Sequence, residues 1–278
     1  MIGLIDIGGT KTLASVTGDD GRPGVPTVRP TPRRGDAGAF LAAMLDEVRG
    51  DHELEAIAVA TPGPFDRRNR TLINPPGLSA DWHGLDLQAA LGDRFHCRVH
   101  AENDANCAAL AEAHFGAGRG FGTVVYYTVS TGVGSGVVRN GDLLISRHDT
   151  EGGHQVLWPE HLGGPACHCG GHGCLEALVS GAAIERRFGC RAEVLDDPSA
   201  WADIGRWLGL AVVNSAALLD CDVVDFGGGV IGAWTKFEAS LRGTVREHLF
   251  LQPAPEIRLA ELGIDRNVWG ALTLVPGR

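Results

Sequence analysis

Several stretches of this chain gather residues that could do chemistry. The first is Asp6-Ile-Gly-Gly-Thr-Lys-Thr12. Gly8 and Gly9 would let backbone N–H groups approach an anion closely. Thr10 and Lys11 add a hydroxyl and a cation, and Asp6 offers a carboxylate of the kind that suits Mg²⁺. This is a candidate phosphate cradle, and it reads equally as a plain hairpin turn with a surface lysine. The Gly-x4-Gly-Lys-Ser/Thr pattern of a Walker A loop is absent. A second turn, Ser130 to Gly136, offers Thr131 with Gly132, Gly134 and Gly136 after a strongly apolar run. A third cluster, Gly227-Gly228-Gly229, could let an adenosine lie flat on the backbone, or simply lead into a helix.

Asn103-Asp104 follows a short apolar run and opens an alanine-rich stretch. Asn and Asp are the preferred helix caps, which gives the pair a purely structural reading. Transfer of a phosphoryl group to an alcohol also needs a carboxylate that accepts the hydroxyl proton. A rigid strand-to-helix junction suits that task.

Glu151-Gly-Gly-His154 precedes Cys167-His-Cys169-Gly-Gly-His-Gly-Cys174-Leu-Glu176. Three cysteines with one histidine make a closed Cys₃His set of the structural zinc type. The Cys-x-Cys-x4-Cys spacing leaves His168 and His172 as competitors with His154 for the histidine position. If zinc folds this loop, Glu151 and Glu176 could be pinned as acceptors for sugar hydroxyls; otherwise they are ordinary surface charge.

The elements that must position these groups alternate. Ile2–Ile7 and Thr12–Val16 read as a strand hairpin, Ala37–Val48 as a helix and Ala56–Ala60 as a strand. Leu87–Leu91 reads as helical, Arg98–Ala101 as a strand and Ala105–Phe115 as a helix. A second hairpin covers Thr123–Val129 and Val137–Ile145. Helices at Ser180–Phe188 and Ser199–Leu218, a strand at Asp222–Phe226, a helix near Ala233–His248 and a C-terminal β segment complete the pattern. Two hairpins, each turning on Gly and Thr, imply two related α/β halves. The expected division is 1–118 and 119–278, with the zinc loop in the second half and a late helix free to return to the first.

The chain has 278 residues and a net charge of −10, without the broad positive field that nucleic-acid binding needs. Lysines occur only at Lys11 and Lys236. The arginine pairs Arg33-Arg34, Arg67-Arg68 and Arg186-Arg187 read as solvated surface. No apolar run is long enough to span a bilayer and no signal peptide is visible, so the expected location is the cytoplasm.

Taken together and in order, the motifs resemble the ROK family of sugar kinases and transcriptional repressors. The matching pieces are Asp6–Thr12, Ala60-Thr-Pro-Gly-Pro64, Glu102-Asn-Asp-Ala-Asn106, Thr131–Gly136, Glu151-x-x-His154, Cys167–Glu176 and Gly227–Gly229. The resemblance implies an α/β, actin-like ATPase (ribonuclease H-like) fold, two lobes with a central cleft. It implies ATP and Mg²⁺ held by Asp6, Gly8, Gly9, Thr10, Lys11 and Thr12, by Thr131, Gly132 and Gly134, and by Gly227 and Gly228. It implies Asp104 as catalytic base on a hexose, glucose or an N-acetylhexosamine, with Gly63, Asn103, Glu151, His154 and Glu176 at the sugar. It assigns the zinc to His154, Cys167, Cys169 and Cys174, and makes a homo-oligomer, dimer or tetramer, the expected assembly. Two departures stand out. Asp149-Thr150 precede Glu-Gly-Gly-His where the family has Ala-Gly before Glu-Ile-Gly-His. Its Pro-Asn-Leu sugar loop appears here as Asn74-Pro-Pro-Gly-Leu78. A sugar-binding regulator without kinase activity is the alternative. The family's repressors carry a helix-turn-helix domain ahead of the first strand, which here begins at Ile2.

Overall fold

The computed structural model describes residues 1–75, 77–145 and 149–277. Pro76 of the expected sugar loop lies outside the described residues, whereas the expected hairpin at 137–145 lies within them. The chain divides into two compact units, Met1–Ala111 with Leu262–Arg278, and Glu112–Glu261. The division therefore falls a few residues before the expected 118/119 boundary, and the C-terminal segment belongs to the first unit.

The first unit is built from β1 (Ile2–Ile7), β2 (Lys11–Val16), β3 (Thr27–Pro30), α1 (Ala37–Arg49) and β4 (Ala56–Thr61). A small hairpin of β5 (Phe65–Asp66) and β6 (Thr71–Leu72) follows. A π-type turn at Gln88–Gly92 runs into the short α2 (Asp93–Phe95), and then come β7 (Arg98–Asn103) and α3 (Asp104–Phe115). The five main strands form one sheet in the order β3-β2-β1-β4-β7. The β1–β2 and β2–β3 pairs are antiparallel, and β1–β4 and β4–β7 are parallel.

Side chains alternate across the sheet. Ile5, Ile7, Ile57 and Val59 face Leu41 and Leu45 of α1. Ile2, Leu4, Ala58 and Ala60 pack with Cys107 of α3 and with Val268 and Leu272 from the C-terminal segment. The start of α1 was legible in the sequence: Asp36 accepts the Ala39 N–H at 2.9 Å as N-cap.

The second unit contains β8 (Thr123–Val129), β9 (Val133–Arg139), β10 (Asp142–Leu143), α4 (Leu175–Val179) and α5 (Gly181–Phe188). After them come α6 (Pro198–Leu219), β11 (Val223–Gly227), α7 (Trp234–His248) and β12 (Glu256–Leu259). Its sheet runs β10-β9-β8-β11-β12. The β8–β9 and β9–β10 pairs are antiparallel, and β8–β11 and β11–β12 are parallel. Order and direction thus repeat those of the first sheet, which is the duplication the two Gly/Thr hairpins imply. Val125, Tyr127 and Phe226 pack on Leu178, Trp201, Leu208 and Phe237 in the core of this unit.

The last helix, α8 (Arg266–Leu272), occupies a stretch expected to be β. Only Glu256–Leu259 is strand there. The Arg266–Leu272 run is short and has Gly270 inside it, so local propensity hides a helix that packing fixes.

Candidate active site

In the first unit the β1–β2 turn presents Thr10 and Lys11 to solvent. The turn closes through the Gly8 N–H, which donates to the Lys11 carbonyl at 3.0 Å. A side chain at Gly8 would meet that carbonyl at 2.6 Å, so only glycine fits. Thr12, expected among the cradle groups, is fully buried. Its hydroxyl shares a 2.9 Å hydrogen bond with Thr31, whose own hydroxyl donates to the Gly8 carbonyl at 2.6 Å. The Thr12 side chain therefore braces the turn from inside rather than facing a ligand.

Asp6, at the end of β1, is only 8% exposed. Burial pushes its carboxyl up to about 7, and the nearby Asp104 charge adds to the rise. Asn267 of α8 opposes it by donating from Nδ2 to Asp6 Oδ1 at 3.2 Å. A buried carboxylate that accepts from a neutral amide and has the Lys11 charge near it is suited to a cation, so Asp6 fits a magnesium ion or its water shell.

β7 delivers Asn103 and Asp104 to the same end of the sheet, with Asn103 in register with Thr61 of β4. The cap of α3 comes from Asn103, whose Oδ1 accepts the Ala105 N–H at 2.9 Å. Asp104 is the first residue of the helix and half-buried, and its Oδ1 also accepts from Ala105, at 2.7 Å. The capping reading thus belongs mainly to Asn103. A side chain at Gly63 would meet Asn103 Nδ2 at 3.1 Å, which sets Gly63 beside Asn103.

Glu102 sits just behind this junction, and Arg67 clamps it. Arg67 Nε and Nη2 reach Glu102 Oε2 and Oε1 at 2.5 Å each. Glu102 Oε1 also accepts the Asn103 N–H at 2.7 Å and Asn106 Nδ2 at 3.1 Å. Arg67, expected on the solvated surface, is partly buried with a side-chain exposure of 27%.

In the second unit Thr131 is exposed on the β8–β9 turn and is followed by Gly132, with Gly134 near the start of β9. A side chain at Gly132 would meet Glu176 Oε2 at 2.7 Å. That same oxygen accepts the Val133 N–H at 3.0 Å, so buried Glu176 is fixed to the base of the turn. Its other oxygen, Oε1, lies 2.8 Å from His168 Nδ1. Glu151 is exposed and ends against the short turn Gly152–His154, whose Gly152 N–H donates to Ser135 Oγ at 2.8 Å. Gly227 ends β11, and Gly228 follows at φ 98°.

His154, Cys167, Cys169 and Cys174 bring their ligand atoms within 4.8 Å of one another. Tetrahedral zinc with Zn–S bonds of about 2.3 Å separates two sulfurs by about 3.8 Å. Cys169 Sγ and Cys174 Sγ stand 3.7 Å apart, and Cys167 Sγ lies 3.7 Å from His154 Nδ1. Burial raises the Cys167 thiol and pushes Cys174 up to about 12. A divalent cation is what would turn such thiols into thiolates. The donor set therefore fits a closed zinc site. Of the competing histidines, His168 pairs with Glu176, and His172 faces Glu160 at 3.7 Å.

Arg67, Asn267 and Thr31 went unseen in the sequence. Each acts through a partner distant along the chain, and none stands in a motif.

A doubled sheet of this order with a Gly/Thr turn in each half defines the actin-like ATPase fold, with two lobes. The model of the ROK family matches residues 2–278, and the chain belongs to that family. It is 37% identical to a glucokinase of Thermotoga maritima over 66% of this chain, a stretch that spans 58% of that relative. It is 31% identical to an N-acetylmannosamine kinase of Salmonella paratyphi B over 98% of this chain and 97% of the relative. A xylose repressor of Bacillus subtilis is 24% identical over 77% of this chain and 58% of its own length. Among solved structures, the ROK hexokinase of Thermus thermophilus superposes with a TM-score of 0.84 at 34% identity, covering 99% of this chain and 97% of that one. A ROK glucokinase of Streptomyces griseus, in complex with glucose and AMPPNP, gives 0.80 at 27%, covering 99% and 98%. Among the described residues no helix is long and apolar enough to cross a membrane.

Proposed function

We propose that this protein transfers the γ-phosphoryl group of ATP to a hydroxyl of glucose or an N-acetylhexosamine, with Asp104 as the base. The observation that carries this reading is the Asn103–Asp104 junction. The backbone there is held by a strand, a helix cap and the Glu102 carboxylate, so that Asp104 heads the helix in a fixed position. The named kinases among the relatives support the same class of reaction.

Asp104 accepts the proton of the sugar hydroxyl as its oxygen attacks the γ-phosphorus. The bond to the β–γ bridging oxygen breaks, and ADP leaves. Lys11, Thr10 and the backbone N–H groups of the β1–β2 turn stabilise the phosphate charge, with Thr131, Gly132 and Gly134 as the matching turn of the second unit. Gly227 and Gly228 are assigned to the adenosine. Mg²⁺, held by Asp6 directly or through water, neutralises phosphate charge when bound. Gly63, Asn103, Glu151, His154 and Glu176 are assigned to the sugar hydroxyls. His154, Cys167, Cys169 and Cys174 would hold a zinc ion, which when bound would stiffen the loop that carries His154 and leads into Glu176. A homo-oligomer is part of this reading, and sedimentation at several protein concentrations measures it.

The regulator alternative draws on a relative whose 24% identity speaks for the fold alone. A coupled ADP-release assay against glucose, N-acetylglucosamine, N-acetylmannosamine and fructose, with the product followed by ³¹P NMR, tests the proposal. One sugar should give a sugar phosphate in step with ADP. No sugar phosphate from folded, zinc-loaded protein with Mg-ATP would overturn it.

A further inference from the structure

Glu102 is the penultimate residue of β7, directly before Asn103 and Asp104, and it is only 3% exposed. Two of its donors belong to the junction itself: the Asn103 N–H and Asn106 Nδ2 of the first turn of α3. Nε and Nη2 of Arg67, which extends from the turn between β5 and β6, also donate to it. The pairing is bidentate and runs between groups 35 residues apart in sequence. Among the arrangements open to a guanidinium, this fork matches a carboxylate best and fixes its plane.

A carboxylate buried to this degree needs a cation. Without one its charge is left uncompensated, and the carboxylate turns toward water. That change moves the acceptor of the Asn103 N–H, and with it the peptide that leads into Asp104. Asn103 loses the same anchor, although it also caps α3. Small displacements of a reacting group are costly in rate.

We propose that Arg67 is a positioning residue for the Asn103–Asp104 junction, acting through its bidentate pair with Glu102. The inference rests on the phosphoryl-transfer reading and adds to it a residue outside every motif the family resemblance quotes. It works through geometry: the guanidinium fixes Glu102, Glu102 fixes the Asn103 peptide, and that peptide aims the Asp104 carboxylate.

The test compares wild type, Arg67→Met and the double variant Arg67→Met/Glu102→Gln. Glutamine keeps an acceptor for the Asn103 N–H but carries no charge to be compensated. Steady-state kcat and KM are measured for the sugar and for ATP, and backbone hydrogen exchange is followed over residues 98–110. Arg67→Met should lower kcat by up to about 100-fold, with KM for ATP within about twofold of wild type. The double variant should recover to within about threefold of wild type, the non-additivity expected of coupled neighbours. Exchange over 98–110 should quicken in the single variant and slow again in the double. A merely structural arginine would lower stability while leaving kcat per folded molecule unchanged.

Full kcat in Arg67→Met would overturn the proposal. So would a folded double variant as slow as the single one, since Arg67 would then act on the substrate itself. If Arg67→Met does not fold, the double variant decides alone: near-normal kcat upholds the proposal, and a loss of about 100-fold contradicts it. If wild type turns over no sugar, the phosphoryl-transfer reading fails separately. Hydrogen exchange then judges the linkage, and unchanged exchange across all three proteins would overturn it.

Discussion

At the scale of single residues, chemistry and support are divided between neighbours. In the β1–β2 turn Thr10 and Lys11 face solvent while Thr12 braces the turn through Thr31. At the junction Asn103 caps the helix and Asp104 begins it. This division gives a sharp expectation for Lys11. Lys11→Met removes an exposed ammonium from the proposed phosphate cradle, and a charged contact of this kind is worth about 1.5–3 kcal/mol. KM for ATP should rise by roughly tenfold or more while sugar affinity stays level. Titration calorimetry with sugar alone, set against the kinetics, measures both. A changed sugar affinity with an unchanged KM for ATP would remove Lys11 from the nucleotide. Motif order points to the proposed cradle, but not to the brace. A threonine hydroxyl turned inward toward Thr31 looks the same in a sequence as one turned out to a phosphate. Arg67 was misread for a related reason. Beside Arg68 it resembles a solvated pair, and its partner Glu102 is reached only through the fold.

At the scale of elements, the loop from Glu151 to Cys174 has almost no regular structure of its own. Its described stretches hold only short turns and isolated bridges, such as Val156 with Cys174 and Ala166 with His172. Loops this long need something to order them, and four converging ligands can supply it. Purified protein should carry one zinc per chain by elemental analysis. Cys174→Ser should lose the metal and expose the loop to proteolytic nicking, with the rest of the second unit intact. Full zinc content in that variant would contradict the ligand assignment. The cysteine spacing alone pointed to a metal but left three histidines open. Packing narrows the choice, because the turn at Gly152–His154 carries His154 Nδ1 to 3.7 Å from Cys167 Sγ. The strands and longer helices were legible for a different reason. Their apolar residues recur at two or at three to four positions over long enough runs to outweigh exceptions.

At the scale of the whole molecule, the doubled sheet followed from two similar hairpins, and a late helix was free to return to the first half, but its position along the chain was not legible. α8 belongs to the first unit, and nothing local in Arg266–Leu272 announces a contact with residues more than 150 positions earlier. The contact is tight. A side chain at Gly270 would lie 1.7 Å from the Cys107 carbonyl oxygen of α3. Backbone cannot yield that distance cheaply, so Gly270→Ala should destabilise the first unit by about 3 kcal/mol or more. A lowered denaturation midpoint would report it, and an unchanged midpoint would mean that α8 does not pack as described. The same helix brings Asn267 to Asp6, so its loss should also weaken any Mg²⁺ response that depends on Asp6.

The proposed function turns on Asp104 as the base for phosphoryl transfer to a sugar. The most direct test measures turnover and sugar binding side by side in wild type and Asp104→Asn. The amide preserves size and most hydrogen bonding but cannot take the proton. Turnover should fall by about 10²–10⁴-fold, while sugar affinity by calorimetry stays close to wild type. Normal turnover in Asp104→Asn would contradict the account.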